Sequence, residues 1–273
     1  MTKPASHRTS QWRVLRSEWI KLMTLRSTWI TILAILAVII GFGVLSALVA
    51  SGSVTPSSNS GGGPPTAAMM RSPLNTVMSG ANLAVLIVAV MGSIIGAREF
   101  ASGLIRTTFA AVPRRLPVLW AKLIAFTFLM LPIVLVGVIA VFFLGMEILE
   151  GSGSESVAWS DDGVARSVFG LGFYIVGLGI IGLALGILLR GTAASIGVVI
   201  GAVIFIPALA TALLPDSWDE VLKYLPSNAG AAFTTASQVG GILLEPGIGA
   251  MVFAAWIVIA IAGAAWAILR RDA

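Results

Sequence analysis

Six runs of continuously apolar residues, at 29–50, 77–97, 118–146, 167–189, 192–214 and 246–269, set the terms on which this chain of 273 residues can fold. Each matches or exceeds the ~20 residues that a helix needs to cross the hydrocarbon core of a bilayer. A closed barrel is the other structure that satisfies every backbone polar group in lipid, but barrel strands alternate apolar and polar side chains over ~9–11 residues. These runs do not alternate, so the sequence predicts an all-α integral membrane protein with six transmembrane helices. Charged residues make up only 11% of the chain, against about 25% in ordinary soluble domains. One domain accounts for it: a basic arm at 1–28, a six-span bundle at 29–269 and a short tail at 270–273.

Loops kept in the cytoplasm are enriched in Lys and Arg, and this chain is strongly lopsided in that respect. Lys3, Arg8, Arg13, Arg16, Lys21 and Arg26 precede the first span. The segment between spans two and three carries Arg98, Arg106, Arg114, Arg115 and Lys122; Arg190 follows span four, and Arg270 and Arg271 follow span six. The opposite side holds only Arg71, Arg166 and Lys223, with nine of the twelve acids. Both termini are therefore expected in the cytoplasm, at the plasma membrane. The net charge of +5 expresses this sidedness, and no nucleic-acid partner is expected. The first span is expected to be permanent, being longer than the 7–15-residue core of a cleaved leader and preceded by a long basic arm.

The arm predicts an amphipathic helix from Thr9 or Ser10 to about Arg26. Trp12, Leu15, Trp19, Leu22 and Met23 share one face, and Arg13, Ser17, Glu18, Lys21 and Thr24 share the other. Such a helix suits the headgroup layer, with basic side chains reaching anionic lipid; a generic basic arm that only sets topology is the alternative. After the second span, Gly103 offers a hinge. Leu104, Ile105, Thr108, Phe109 and Val112 then fall on one side of a short cytoplasmic helix that Pro113 stops. That ridge either docks in a groove on a soluble partner or lies in the membrane surface.

Outside, SSNSGGGPPT in the loop 51–75 is low-complexity sequence, and EGSGSESVAWSDDG reads as an acidic solvated linker. The third external segment is different. Trp218, Val221, Leu222 and Leu225 recur at helical spacing before Pro226, predicting a surface helix, then a turn and a short helix dipping toward the sixth span. This is either an external gate or a simple surface loop. Within the spans, Gly182 and Gly186 form a GxxxG pair that permits close helix contact, and Pro132 and Pro207 are candidate kinks.

The spans carry no ionisable side chain at mid-depth by sequence, which argues against ion-coupled transport. There is no cysteine and a single histidine, His7, so thiolate sites and common nucleophile–base pairs are excluded. No lysine ends a GxxxxGK[ST] loop. The chain is expected not to be an enzyme and to hold no cofactor or metal.

The order Glu99, Gly103, a hydrophobic stretch, Pro113, Arg115 and Lys122 resembles the segment between spans two and three of type-2 ABC exporter permeases. RSEWIKLMTLRSTW resembles their opening helix, and with the six-span layout the similarity covers nearly the whole chain. The resemblance implies the membrane subunit of an ATP-driven exporter that pairs with a second permease copy, identical or closely related, and with two ABC ATPase subunits that bind ATP and Mg. It also implies a connecting helix at about 10–26, using Trp12, Leu15, Trp19 and Leu22, and a coupling helix at about 103–112. The coupling region comprises Glu99, Gly103, Leu104, Ile105, Phe109, Val112, Arg114 and Arg115, with Glu99 anchored by neighbouring basic groups; Trp218, Leu222 and Leu225 would form the external gate. The first external loop lacks the large folded domain of some relatives, so capture of a polypeptide outside the membrane is not implied; the resemblance implies a mostly apolar path at the dimer axis and hence a hydrophobic or amphipathic cargo: a drug, antibiotic, peptide or lipid-like molecule. A non-transporting anchor, sensor or immunity subunit is the alternative, and a secondary transporter a weaker one.

Overall fold

The computed structural model describes residues 11–54, 72–101, 103–105, 115–236 and 243–270, and every regular element among them is helical. Phe109, Val112, Arg114, His7 and the Gly/Ser/Pro stretch of the first external loop lie outside the described residues. Helix α1 (Gln11–Thr24) leads through Leu25 into α2 (Arg26–Ala50). The short α3 (Pro73–Val77) precedes α4 (Ser79–Ala101), and α5 (Leu116–Gly151), α6 (Val164–Leu189) and α7 (Thr192–Ile200) follow. A π-helical turn (Gly201–Phe205) joins α7 to α8 (Ile206–Leu213). The chain continues through α9 (Asp219–Leu222) and α10 (Pro226–Thr234) to α11 (Pro246–Arg270). Six helical stretches, α2, α4, α5, α6, 192–210 and α11, are long and apolar enough to cross a membrane.

Two of the six form the centre. In α6 and α4, 72% and 61% of the apolar window is buried, whereas α2, 192–210 and α11 bury only 28%, 17% and 28% and take the periphery. Glycine makes the central contact possible. A methyl group at Gly92 would strike the carbonyl oxygen of Gly179, and one at Gly96 that of Leu183. From the other side, a methyl at Gly182 meets the Ala89 carbonyl and one at Gly186 meets the Ser93 carbonyl. The backbones of α4 and α6 therefore touch along about two turns. The GxxxG pair read from the sequence is half of this seam, and Gly92 and Gly96 on α4 supply the other half.

The two proline expectations separate. Helix α5 runs continuously through Pro132, while the fifth span changes its winding immediately before Pro207. In a regular helix the Pro207 ring would press on the carbonyl of Val203. Here the Ile206 amide donates to Gly201 O and closes a wider turn that accommodates the ring.

The bundle's two ends differ in chemistry. At one end Arg115 Nη1 donates to Ile268 O at 3.1 Å and Arg190 Nη2 to Ala267 O at 3.5 Å. Two guanidinium groups thus serve carbonyls in the last turn of α11, where the helix dipole is negative. At the other end the acidic linker is less solvated than its composition suggests. Trp159 stacks on Phe143 at 5.6 Å between centroids and meets Phe142 and Phe169 edge-on, leaving Glu155, Asp161 and Asp162 exposed. The segment after the fifth span begins as a 3-10 turn (Asp216–Trp218) and the single turn of α9, shorter than the surface helix expected. Trp218 and Val221 are exposed, Leu222 and Leu225 half-buried. Its continuation, α10, packs back against α6 and α11: Phe233 lies 6.0, 6.4 and 5.8 Å from the rings of Phe173, Tyr174 and Phe253.

The seam makes a sharp expectation. Gly182→Val will force α4 and α6 apart and cost about 1–3 kcal/mol, as overpacking does, read as a lower unfolding midpoint in detergent micelles. Gly197→Val, at a glycine with nothing within 4 Å of an added methyl, will leave the midpoint where it was. Equal midpoints for the two variants would remove the seam as the organising contact.

Candidate functional site: a ring of four charges

Helix α1 turns most of the face that its tryptophans mark toward the bundle, Trp12 excepted. Val14, Glu18 and Leu22, four residues apart, form its buried stripe, with Leu15 and Trp19 half-buried beside it and Trp12 70% exposed. Glu18, assigned by the wheel to the polar face, points into the bundle. Val14 and Leu15 pack on Val118 and Ala121 of α5, and Trp19 meets Phe128 edge-on at 6.0 Å. The helix ends where Leu25 turns extended (φ −80°, ψ 120°), and Trp29 Nε1 donates to Met23 O at 2.9 Å across the break. This bend brings the Glu18 carboxylate against the ends of α4 and α5.

Lys122 stands six residues inside α5, and its ammonium lies 2.8 Å from Glu18 Oε2 and 2.7 Å from Glu99 Oε1. Lys21, one turn after Glu18, closes the figure with contacts of 2.6 Å to Glu18 Oε1 and 2.9 Å to Glu99 Oε1. Two carboxylates and two ammonium groups thus form a neutral ring linking α1, α4 and α5. Glu18, Glu99 and Lys122 are 4%, 7% and 5% exposed, so none has bulk water as its main solvation. Burying a lone charge costs several kcal/mol, and each of these three is bridged by opposite charges at hydrogen-bonding distance instead. Burial alone would depress the Lys21 ammonium, but hydrogen bonds and charge attraction from Glu18 and Glu99 outweigh it and hold Lys21 above the ordinary lysine value.

The ring borders a cavity of about 380 Å³ whose wall also includes Arg98 and Leu104. Gly103 takes a left-handed conformation (φ +71°) just beyond α4, Leu104 is 57% exposed and Ile105 is 5% exposed. Leu104 and Ile105, placed on one ridge by the sequence, therefore point differently: Ile105 packs inward. Arg115 belongs to the α11 contact described above. Among the described coupling residues, only Glu99 belongs to the ring, and Trp218, Leu222 and Leu225, expected to form a gate, lie in the far half of the bundle from it.

Glu18, Lys21 and Lys122 were not singled out as site residues from the sequence. A signal was available: Glu18 and Lys21 sit at helical spacing, and Glu99 and Lys122 bracket the same loop, giving two acids and two bases at span boundaries. What was missing is the bend at Leu25, which no local pattern announces. Among the described residues no three His, Cys, Asp or Glu side chains gather where they could hold a metal ion.

The described chain is thus an all-helical protein with six helices able to cross a membrane and an ion-paired amphipathic helix at one end. No family model matches this chain, and no curated protein matches it.

Two outcomes follow for the ring. Lys122→Met leaves two buried carboxylates facing Lys21 alone and will cost about 3–5 kcal/mol, the range for breaking a buried ion pair by removing one partner. Thermal unfolding in micelles reads it, with Lys223→Met at the exposed Glu220 pair leaving the midpoint unchanged. The pH dependence has a definite sign: a raised lysine contributes stability fully present below its unfolded value of 10.5 and lost as pH climbs through the higher folded value. The midpoint difference between wild type and Lys21→Met will accordingly shrink as pH rises above 10.5. A difference that is constant to pH 12, or grows, contradicts the assignment.

Proposed function

We propose that this chain is the membrane subunit of an ATP-driven exporter of the type-2 ABC permease class, driven by separate ATPase subunits. The observation that carries the reading is the ring itself. It ties an amphipathic helix outside the apolar windows to the ends of two spans, α4 and α5, that flank residues 102–114. A force applied to α1 or to that segment is passed to both spans together, because all three elements share the same buried charges. The lopsided distribution of Lys and Arg supports a cytoplasmic position for this end, where an ATPase would bind.

In this reading the segment after α4 is the coupling element and α1 the connecting helix. Two ATPase subunits hold the ATP and Mg, and a second permease copy completes the pathway. The cargo is hydrophobic or amphipathic and leaves through an external gate that includes the segment around Trp218, Leu222 and Leu225. No catalytic role falls to this chain.

The test is reconstitution in proteoliposomes with a candidate ABC ATPase subunit. ATP-dependent movement of a lipophilic dye is expected, and Leu104→Asp will leave insertion and assembly intact while lowering ATP-driven movement by about tenfold or more, the effect of burying an unpaired carboxylate in a docking contact. Movement driven by a proton or sodium gradient without nucleotide would overturn the proposal.

A further inference from the structure

We infer that a water-filled vestibule enters the bundle from the end opposite the ring of charges and reaches about halfway along it, lined by the segment 214–225 that joins α8 to α10. The depth follows from contacts. Helix α10 finishes at the end of the bundle, where Arg166 Nη2, near the start of α6, donates to Thr235 O at 3.3 Å. Its beginning lies much deeper. Gly230 packs against the ring of Tyr174, which stands ten residues inside α6 from Val164, or ~15 Å at the helical rise.

A second helix gives the same level. Trp256 Nε1 donates to Tyr224 O at 2.9 Å, and Trp256 is ten residues inside α11 from Pro246 and fourteen from Arg270. The hydrocarbon core is ~30 Å thick, so the chain around Tyr224 and Pro226 stands near its middle.

What the segment carries at that level does not belong in lipid. Between α8 and α10 the backbone is a 3-10 turn, the single turn of α9 and a bend. Irregular backbone is found at membrane depth only where protein encloses it or water meets it. Protein does not enclose it here: the 3-10 turn and α9 pack mainly on each other, and Ser217, Trp218, Glu220 and Val221 are exposed. Glu220 pairs with Lys223, the neighbour of Tyr224, so an ion pair with an exposed carboxylate stands within a turn of the deepest point. Hydrocarbon disfavours such charges strongly, and ionisable groups at this depth face a bundle interior or a water-filled cavity. The opposite side of α11 shows the contrast, for Val258, two residues beyond Trp256 and turned away from it, is apolar and exposed.

This inference needs only that the chain span a bilayer and stands apart from the exporter reading; under that reading the vestibule is the outer part of the exit path. The chain has no cysteine, so single cysteines can report water along it. A thiol reacts as its thiolate, and lipid raises the thiol pKa, removing about tenfold in thiolate for each unit. Val221→Cys and Val258→Cys place thiols at positions of matched exposure, 60% and 64%, one on the segment and one on the far side of α11. In nanodiscs, a positively charged, membrane-impermeant methanethiosulfonate is expected to modify Val221→Cys about tenfold faster than Val258→Cys or more, read by intact mass. Ser217→Cys, also at an exposed position, repeats the comparison should Val221→Cys fail to fold. The direction of entry is read in intact cells. There the same reagent is expected to treat Val221→Cys as it treats Glu155→Cys in the acidic linker, and unlike Ser17→Cys on α1. Rates on the segment no higher than at Val258→Cys overturn the vestibule and mean that lipid or a second copy of this chain covers it. Labelling of Val221→Cys in step with Ser17→Cys overturns the opening at the end opposite the ring.

Discussion

The contact on which the described end of this molecule depends is the shared ammonium of Lys122. It sits in an apolar stretch of α5, among Val118, Leu119, Ala121 and Leu123, all buried. A charge placed there must be met by anions, and the two within reach come from different parts of the chain, Glu18 on α1 and Glu99 at the end of α4. Satisfying one lysine therefore fixes three elements relative to one another. Lys21 then balances the excess negative charge.

Helix existence and span number were legible because they rest on long continuous apolar runs, the strongest pattern a sequence carries. The observed boundaries reach further than the runs: α5 extends over Leu116–Gly151, beyond 118–146, since the polar ends of a long helix continue winding outside the apolar layer. The interruption in the fifth span was legible as Pro207 but not as a π-helical turn, because a proline announces that a hydrogen bond is lost without saying how the chain absorbs it. Trp159 was read with its acidic neighbours as solvated, although one aromatic ring can pack while the residues around it remain in water.

The site was less legible than the fold for a specific physical reason. An amphipathic wheel sorts residues by polarity and assumes that charged residues face water, and that assumption fails wherever charges are partnered inside. Glu18 is polar by type and buried by position, while Trp12, the most hydrophobic in appearance, is 70% exposed. The exposure of Trp12 is reasonable in a membrane setting, since a tryptophan at the headgroup level is well solvated there.

Why α1 is held by charges as well as by apolar contact follows from the solvent. Between helices already in a bilayer there is little hydrophobic drive to associate, because lipid tails serve an apolar face as well as a neighbouring helix does. Two kinds of contact remain that lipid cannot imitate. One is close backbone packing, which the glycines of α4 and α6 provide deep in the bundle. The other is the pairing of buried charges, which has only one satisfactory arrangement here. A purely apolar α1 would be as comfortable floating at the interface as docked. Glu18 gives it a single seat, beside the two spans that any movement of this end must pass through.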